Sequence, residues 1–233
     1  MKPVRTFLLI GALLLAFVLP ARGEDIPAIV KNFHWLGHDT YRIAGDKVVY
    51  FDPFKIKKPD VADLILITHV HHDHCSVDDV RKLQGPSTVI VAPPDCAAKL
   101  SGVVKTVKPG DKLTAQGVVI EAVPAYNTNK QFHTRDKGWV GYIVAIGGTR
   151  VYHAGDTDYI PEMKTFKHID VALLPVSGTY VMTADEAVRA ALDIKPRVAI
   201  PMHYGTIVGT KADAERFARD LKDKVPVVIL EQE

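Results

Sequence analysis

The chain has 233 residues, 47% hydrophobic and 24% charged, and 29 lysines and arginines against 27 acids leave a net charge of +2. That is ordinary globular composition and excludes a collagen-like or disordered chain. The near balance of charge gives no basic footprint, so nucleic acid is not expected as a partner.

Taken in chain order, the first segment reads as a targeting signal. Two cations in Met1–Arg5 precede an apolar run from Phe7 to Leu19, and Ala21 and Gly23 place small residues at −3 and −1 of a cut before Glu24. This is the layout of a secretory signal peptide over residues 1–23, and the run is shorter than the ~20 residues that span a bilayer. Cleavage would remove Lys2, Arg5 and Arg22 and no acid, turning +2 into −1. Residues 24–233 are then expected as one domain, periplasmic or secreted by a bacterium, with no membrane span. Cys75 and Cys96 would share that oxidising compartment. One pair is not a framework, and the sequence does not say whether the two meet, so they read as two partly buried thiols.

From Ile29 onward short strands alternate with turn chemistry. Tyr41–Ile43 and Lys47–Phe51 flank Ala44-Gly45-Asp46, a hairpin signal. Leu64–Thr68 is an apolar run too short for a helix and suits a strand buried on both faces. Ser76, with Asp79 three residues on, opens a short helix, and Thr88–Ala92 is another buried strand. Lys108–Asp111 is a turn before strands through Val118–Val123, and Gly147-Gly148-Thr149 joins Gly138–Ile146 to Arg150–His153. Val171–Pro175 and Val198–Pro201 read as strands, Thr183 caps a helix to about Asp193, Ala212–Leu221 is an amphipathic helix, and Val227–Leu230 closes the chain. Two packed sheets covered by helices accommodate this pattern.

The chemistry concentrates directly after the buried strand, in Thr68-His69-Val70-His71-His72-Asp73-His74. At a strand end, period-2 spacing sends His69 and His71 to one side, where both imidazoles can reach one ion. Asp73 and His74 lie in the turn beyond. Imidazole with carboxylate suits Zn²⁺, with Mn or Fe as replacements.

His-x-His-x-Asp-His at a core strand end resembles the hallmark of the metallo-β-lactamase superfamily. The chain is most similar to its metal-dependent hydrolase branch of lactonase-like and phosphodiesterase-like proteins. Trp35-Leu36-Gly37-His38, Phe51-Asp52-Pro53-Phe54, Ala62–His69, Tyr152–Thr157 and Pro201–Gly205 carry the likeness in order. The resemblance implies a four-layer αββα sandwich, an α/β fold, with two metal ions at one edge. It assigns His69 and His71 to the first ion, Asp73, His74 and His203 to the second, and Asp156 to a bridge between them. The branch usually has a His where this chain reads Val123–Thr128. His133 is the nearby candidate for that place, with Asn127 or water as alternatives and His153 as a weaker rival. His72 is expected to face solvent or lie behind the ligands.

The implied activity is hydrolysis of an ester, lactone or phosphodiester in a small-molecule substrate by a hydroxide shared between the cations, with Asp73 able to relay a proton. Asp52 could fix a ligand tautomer, His38 could line the site, and Tyr126, Tyr180 or Tyr204 could offer a phenol to a developing oxyanion, Tyr204 being the one chosen. A di-iron oxidoreductase on the same scaffold and a non-catalytic periplasmic metal-binding protein are the alternatives. Oligomeric state is not legible.

Overall fold

Alternation of apolar side chains across the strands sets the layering. In the computed structural model, which describes residues 26–233, a short helix α1 (Ile26–Val30) leads into β1 (Phe33–Gly37), β2 (Thr40–Ala44), β3 (Val48–Phe51) and β4 (Ala62–Leu66). Helix α2 (Val77–Leu83), β5 (Gln84–Ala92), α3 (Pro94–Ala97) and β6 (Val103–Thr106) complete the first half. The second half holds β7 (Lys112–Ala115), β8 (Val118–Pro124), β9 (Val140–Ile146), β10 (Thr149–His153), β11 (Val171–Pro175), α4 (Ala184–Ile194), β12 (Val198–Met202) and α5 (Lys211–Asp220). The signal-peptide reading of residues 1–23 lies outside the described residues.

Each half forms one six-stranded sheet, ordered β1-β2-β3-β4-β5-β6 and β12-β11-β10-β9-β8-β7. Within the first, Val49, Phe51, Leu64, Leu66, Val89 and Val91 face the core shared with the second sheet. Their neighbours Tyr50, Ile65, Ile67, Ile90 and Ala92 face outward beneath Val80 and Leu83 of α2 and Cys96 of α3. Strand β4 is thus buried on both faces, which is why its sequence is continuously apolar. Helices α4 and α5 pack beside each other and cover the second sheet through β11 and β12. The result is the expected four-layer αββα sandwich.

Local signals account for most boundaries. Ser76 caps α2 by accepting from the Asp79 amide, and Thr183 and Glu186 form a reciprocal capping box at α4. The segment Val227–Leu230 is not a full strand: it touches the sheet through a single bridge, Ala199 to Val227. Strands β1 and β6 and the helix α3 go beyond the elements expected from the sequence, being only four or five residues long.

One expectation is corrected. Cys75 and Cys96 are not free thiols but a disulfide, closing a separation of 21 residues with Cα atoms 6.4 Å apart. Helix α3 carries Cys96 over the outer face of β4 and β5, to the residue that follows His74. Closing a loop of that size restricts the unfolded chain by about 3 kcal/mol. Cys75→Ser with Cys96→Ser is therefore expected to lower stability by about that amount in denaturant unfolding; an unchanged midpoint would mean that the link adds no stability.

Candidate metal centre

The strand ends of both sheets meet at one edge of the sandwich. Thr68 to His74 follow β4, Asn127 to His133 follow β8, Asp156 follows β10, Ser177 follows β11 and His203 follows β12. Asp156 stands at the middle. Its Oδ2 lies 3.2 Å from His133 Nε2, 3.2 Å from His203 Nε2 and 3.9 Å from His69 Nε2, and its Oδ1 lies 3.5 Å from His74 Nε2. His71 enters through Nδ1, 3.0 Å from His69 Nε2 and 3.2 Å from His133 Nε2. The Oδ2 of Asp73 is 3.7 Å from His74 Nε2 and 3.1 Å from His38 Nε2. All seven residues to which the resemblance assigns ligand roles, together with His38, therefore converge.

The rings are turned inward by what holds their other nitrogen. Asp52 accepts from the Thr68 amide, the Thr68 hydroxyl and His74 Nδ1, at 2.7, 2.6 and 2.8 Å. Having given its proton to Asp52, Thr68 Oγ1 accepts from His69 Nδ1 at 3.0 Å. Ser177 Oγ meets His203 Nδ1 at 2.8 Å, and Asn127 Oδ1 accepts from the amide and Nδ1 of His133. The oxygens of Asp52 and Asn127 and the committed hydroxyl of Thr68 place a proton on Nδ1 of His74, His133 and His69, Ser177 Oγ holds the His203 ring, and each ring turns its Nε2 toward Asp156. Asn127 is thus the residue that orients His133. It is itself fixed by Asp158 and the Tyr180 carbonyl, at 3.2 and 2.8 Å. Trp139 walls the His69, His71 and His133 group with ring centroids 5.0, 4.9 and 5.6 Å away. Its indole N–H is tied to Asp95 of α3 at 2.8 Å.

Three of these positions hold backbone conformations that side chains seldom adopt. His38, Asp52 and His203 have φ of 53°, 42° and 60°. Gly155, immediately before Asp156, has φ of 60°, and a Cβ there would meet Thr68 Cβ at 2.9 Å. The chain thereby turns sharply off β10 and delivers Asp156 against the loop after β4.

Other residues fall elsewhere. His153 stacks on Phe51, with its Nε2 bonded to the Asp39 carbonyl and its Nδ1 accepting from Gly155 N–H, so both nitrogens are occupied. His72 is solvent-exposed. The Tyr126 hydroxyl donates to Glu162, and Tyr180 places its ring on Phe132. The Tyr204 ring is buried 4.7 Å from Trp35, and among the described residues no hydrogen bond joins its hydroxyl to the cluster. One participant went unnoticed: Asp39, fully buried, joins His74, Asp156 and His203 in a set of ligand atoms all within 4.8 Å of one another. Nothing in Gly37-His38-Asp39-Thr40 distinguishes its carboxyl from a turn residue.

Electrostatics in the cluster are set by burial and by the mutual influence of imidazoles and carboxylates. Burial drives His69 and His71 down, aided by neighbouring imidazoles, and burial holds His38 down at about 4 despite the bond to Asp73. Burial opposes charge on His74 as well, but the carboxylates of Asp156 and Asp52 raise it well above the ordinary imidazole range. Burial and Asp156 push Asp39 up. Burial would also raise Asp156, yet His203 and His74 hold it well below an ordinary carboxyl. His74 Nε2, Asp156 Oδ1 and both Asp39 oxygens are buried and have no hydrogen-bond partner among the described residues. Imidazole nitrogens and carboxylate oxygens converging this closely fit divalent cations, which would displace the His74 proton, and His69, His71 and His133 form a second compact nitrogen set beside them.

The sequence pattern described as the beta-lactamase superfamily domain matches residues 32–203. A UPF0173 metal-dependent hydrolase of Pyrococcus abyssi is 36% identical over 214 residues, spanning 84% of this chain and 94% of that protein. A proposed metal-dependent hydrolase from Parabacteroides distasonis superposes with a TM-score of 0.77 at 36% identity, over 86% of this chain and 93% of that one. Igni18, a metallo hydrolase from Ignicoccus hospitalis, gives 0.70 at 26% identity, over 85% and 94%.

Rings held neutral in the native state carry a sign for acid stability. Below pH ~6.5 the unfolded chain takes up protons that native His38, His69 and His71 refuse, so stability falls as pH drops. For His38 the loss runs down to about pH 4. The metal-free protein is expected to unfold at lower denaturant at pH 4.5 than at pH 6.5, and His38→Gln should shrink the difference. Asp39, raised by burial, works in the other direction, because in the native state it keeps a proton that the unfolded chain releases above pH ~4. The variant therefore decides, and a pH difference unchanged in His38→Gln would contradict a neutral His38 ring.

Proposed function

The chain belongs to the metallo-β-lactamase superfamily and is a metal-dependent hydrolase, and from that premise we propose that it holds two divalent cations and hydrolyses an ester, lactone or phosphodiester. In this reading His69, His71 and His133 hold the first ion, and Asp73, His74 and His203 hold the second, with Asp156 shared between them. Zinc is the favoured metal, with Mn or Fe as replacements accepted by the same donors. The observation that carries the reading is Asp156, a buried carboxylate ringed by imidazole Nε2 atoms whose Nδ1 positions are each occupied.

When bound, such ions acidify a water and polarise a carbonyl or phosphoryl oxygen. The rest falls to the protein. Asp52, Ser177 and Asn127 hold ligand rings with Nε2 turned inward. Trp139 excludes water from one flank. Asp73 is the carboxylate nearest to solvent, its side chain 15% exposed, and His38 holds one of its oxygens at 3.1 Å. From there it takes a proton and delivers it to the leaving group, with His38 setting its direction. No serine or cysteine nucleophile is required. The Cys75–Cys96 bond supports the reading of a protein exported to an oxidising compartment.

Metal analysis of the purified protein is expected to find two ions per chain, and His71→Ala is expected to lower metal-dependent turnover of esters or phosphodiesters by at least a hundredfold. Retention of both metal and turnover in that variant would refute the site. Asp52→Asn should weaken metal binding about 10- to 100-fold in competition with a chromophoric chelator while leaving the fold intact.

A further inference from the structure

The residues around the mouth of the site narrow the choice of substrate. The half-buried His71 and the part-exposed Asp73 mark where the cluster opens to solvent. Six large hydrophobic side chains stand exposed among the described residues, and two of them, Phe132 (51%) and Ile207 (43%), lie on the loops that carry His133 and His203. Phe132 makes an edge-to-face pair with Tyr180, ring centroids 4.7 Å apart. Because the Tyr180 carbonyl also holds Asn127, the pair is built onto the same loop that orients His133. On the other side Phe54 packs half-buried between His72 and His38, at 5.8 and 6.4 Å. Two cations stand near these rings. Lys130 is bound to Asp158 at 2.5 Å, and Lys55 sits over the Phe54 ring at 4.9 Å.

A mouth edged by aromatic and aliphatic side chains suits an apolar substituent better than a second phosphate ester arm. We infer that the substrate is an uncharged carboxylic ester or lactone whose alkyl or acyl chain lies on Phe132, Tyr180 and Ile207, an inference that rests on the hydrolytic reading above. Phe132 and Ile207 are then specificity-determining residues: they add binding for the chain and take no part in bond cleavage. Water adds to the acyl carbon, the ester C–O bond breaks, and the departing oxygen leaves as an alcohol with the proton released from the water.

Full burial of a methylene is worth roughly a fourfold gain in binding. The test uses the full chain loaded with zinc or manganese on p-nitrophenyl acetate, p-nitrophenyl hexanoate, a short and a long γ-alkyl lactone, and bis(p-nitrophenyl) phosphate. The hexanoate is expected to exceed the acetate at least tenfold in kcat/KM, carried by KM, and the phosphodiester to be the poorest substrate. Phe132→Ala with Ile207→Ala should cut the hexanoate-to-acetate ratio at least threefold, whereas Leu192→Ala, an exposed apolar residue on α4, should leave that ratio unchanged. A ratio near one, or faster turnover of the phosphodiester, overturns the substrate class while metal-dependent hydrolysis itself stands. A chain-length preference that survives the double variant overturns the assignment to these residues. Failure to turn over any of the five, with metal bound, overturns the inference together with the hydrolytic reading.

Discussion

A buried carboxylate among imidazoles is the constraint on which this end of the molecule is organised. Asp156 cannot be dehydrated in isolation without a large penalty, so its surroundings must supply positive charge. In the protein alone, His74 performs that service by holding a proton, pushed up by Asp156 and Asp52 against the cost of its own burial. Divalent cations would perform it better, and the inward Nε2 atoms of His69, His133 and His203 are already aimed for them. The residues that balance charge in the folded protein are therefore the same ones proposed to hold the metal.

The second organising fact is where the donors originate. Those at 69–74 come from the first sheet and those at 133, 156 and 203 from loops after the second. Strand pairing is confined within each sheet, so polar contacts must help to join the two layers, and many of them gather at the edge where the cluster lies. Thr68 links them directly, its carbonyl accepting from the Val140 amide at 3.1 Å. Helix α3 adds two ties from outside: Cys96 to the residue after His74, and Asp95 to the indole that walls the first histidine group. Four residues of helix thus brace both parts of the centre.

How much of this could be read beforehand depended on range. Hairpins, the Ser76 and Thr183 caps and the doubly buried β4 were legible because their signals are local: turn residues, side chains that reach three positions on, and unbroken apolar runs. The His69–His74 segment was legible because a strand end converts spacing into direction. Asp156 and His203 required resemblance as well, since one acid or one histidine at a strand end has no local signature. His133 was the harder case. It lies in an irregular loop whose path is dictated by Asn127, Asp158 and Lys130, and only the closed loop reveals that Asn127 steadies the ring. Asp39 and the disulfide were invisible for the same reason: each acquires its role from partners far away in sequence that the fold alone brings near.

Left-handed backbone at His38, Asp52 and His203 has a bearing on how this site can diverge. Residues branched at Cβ are disfavoured there whatever their chemistry, and asparagine, aspartate, histidine and glycine tolerate the conformation best. The permitted alphabet at these three places is consequently short, and it consists largely of amino acids able to bind a metal or steady one that does. Drift in a descendant lineage would then run through exchanges among such donors, altering ion preference, sooner than through their loss to aliphatic side chains.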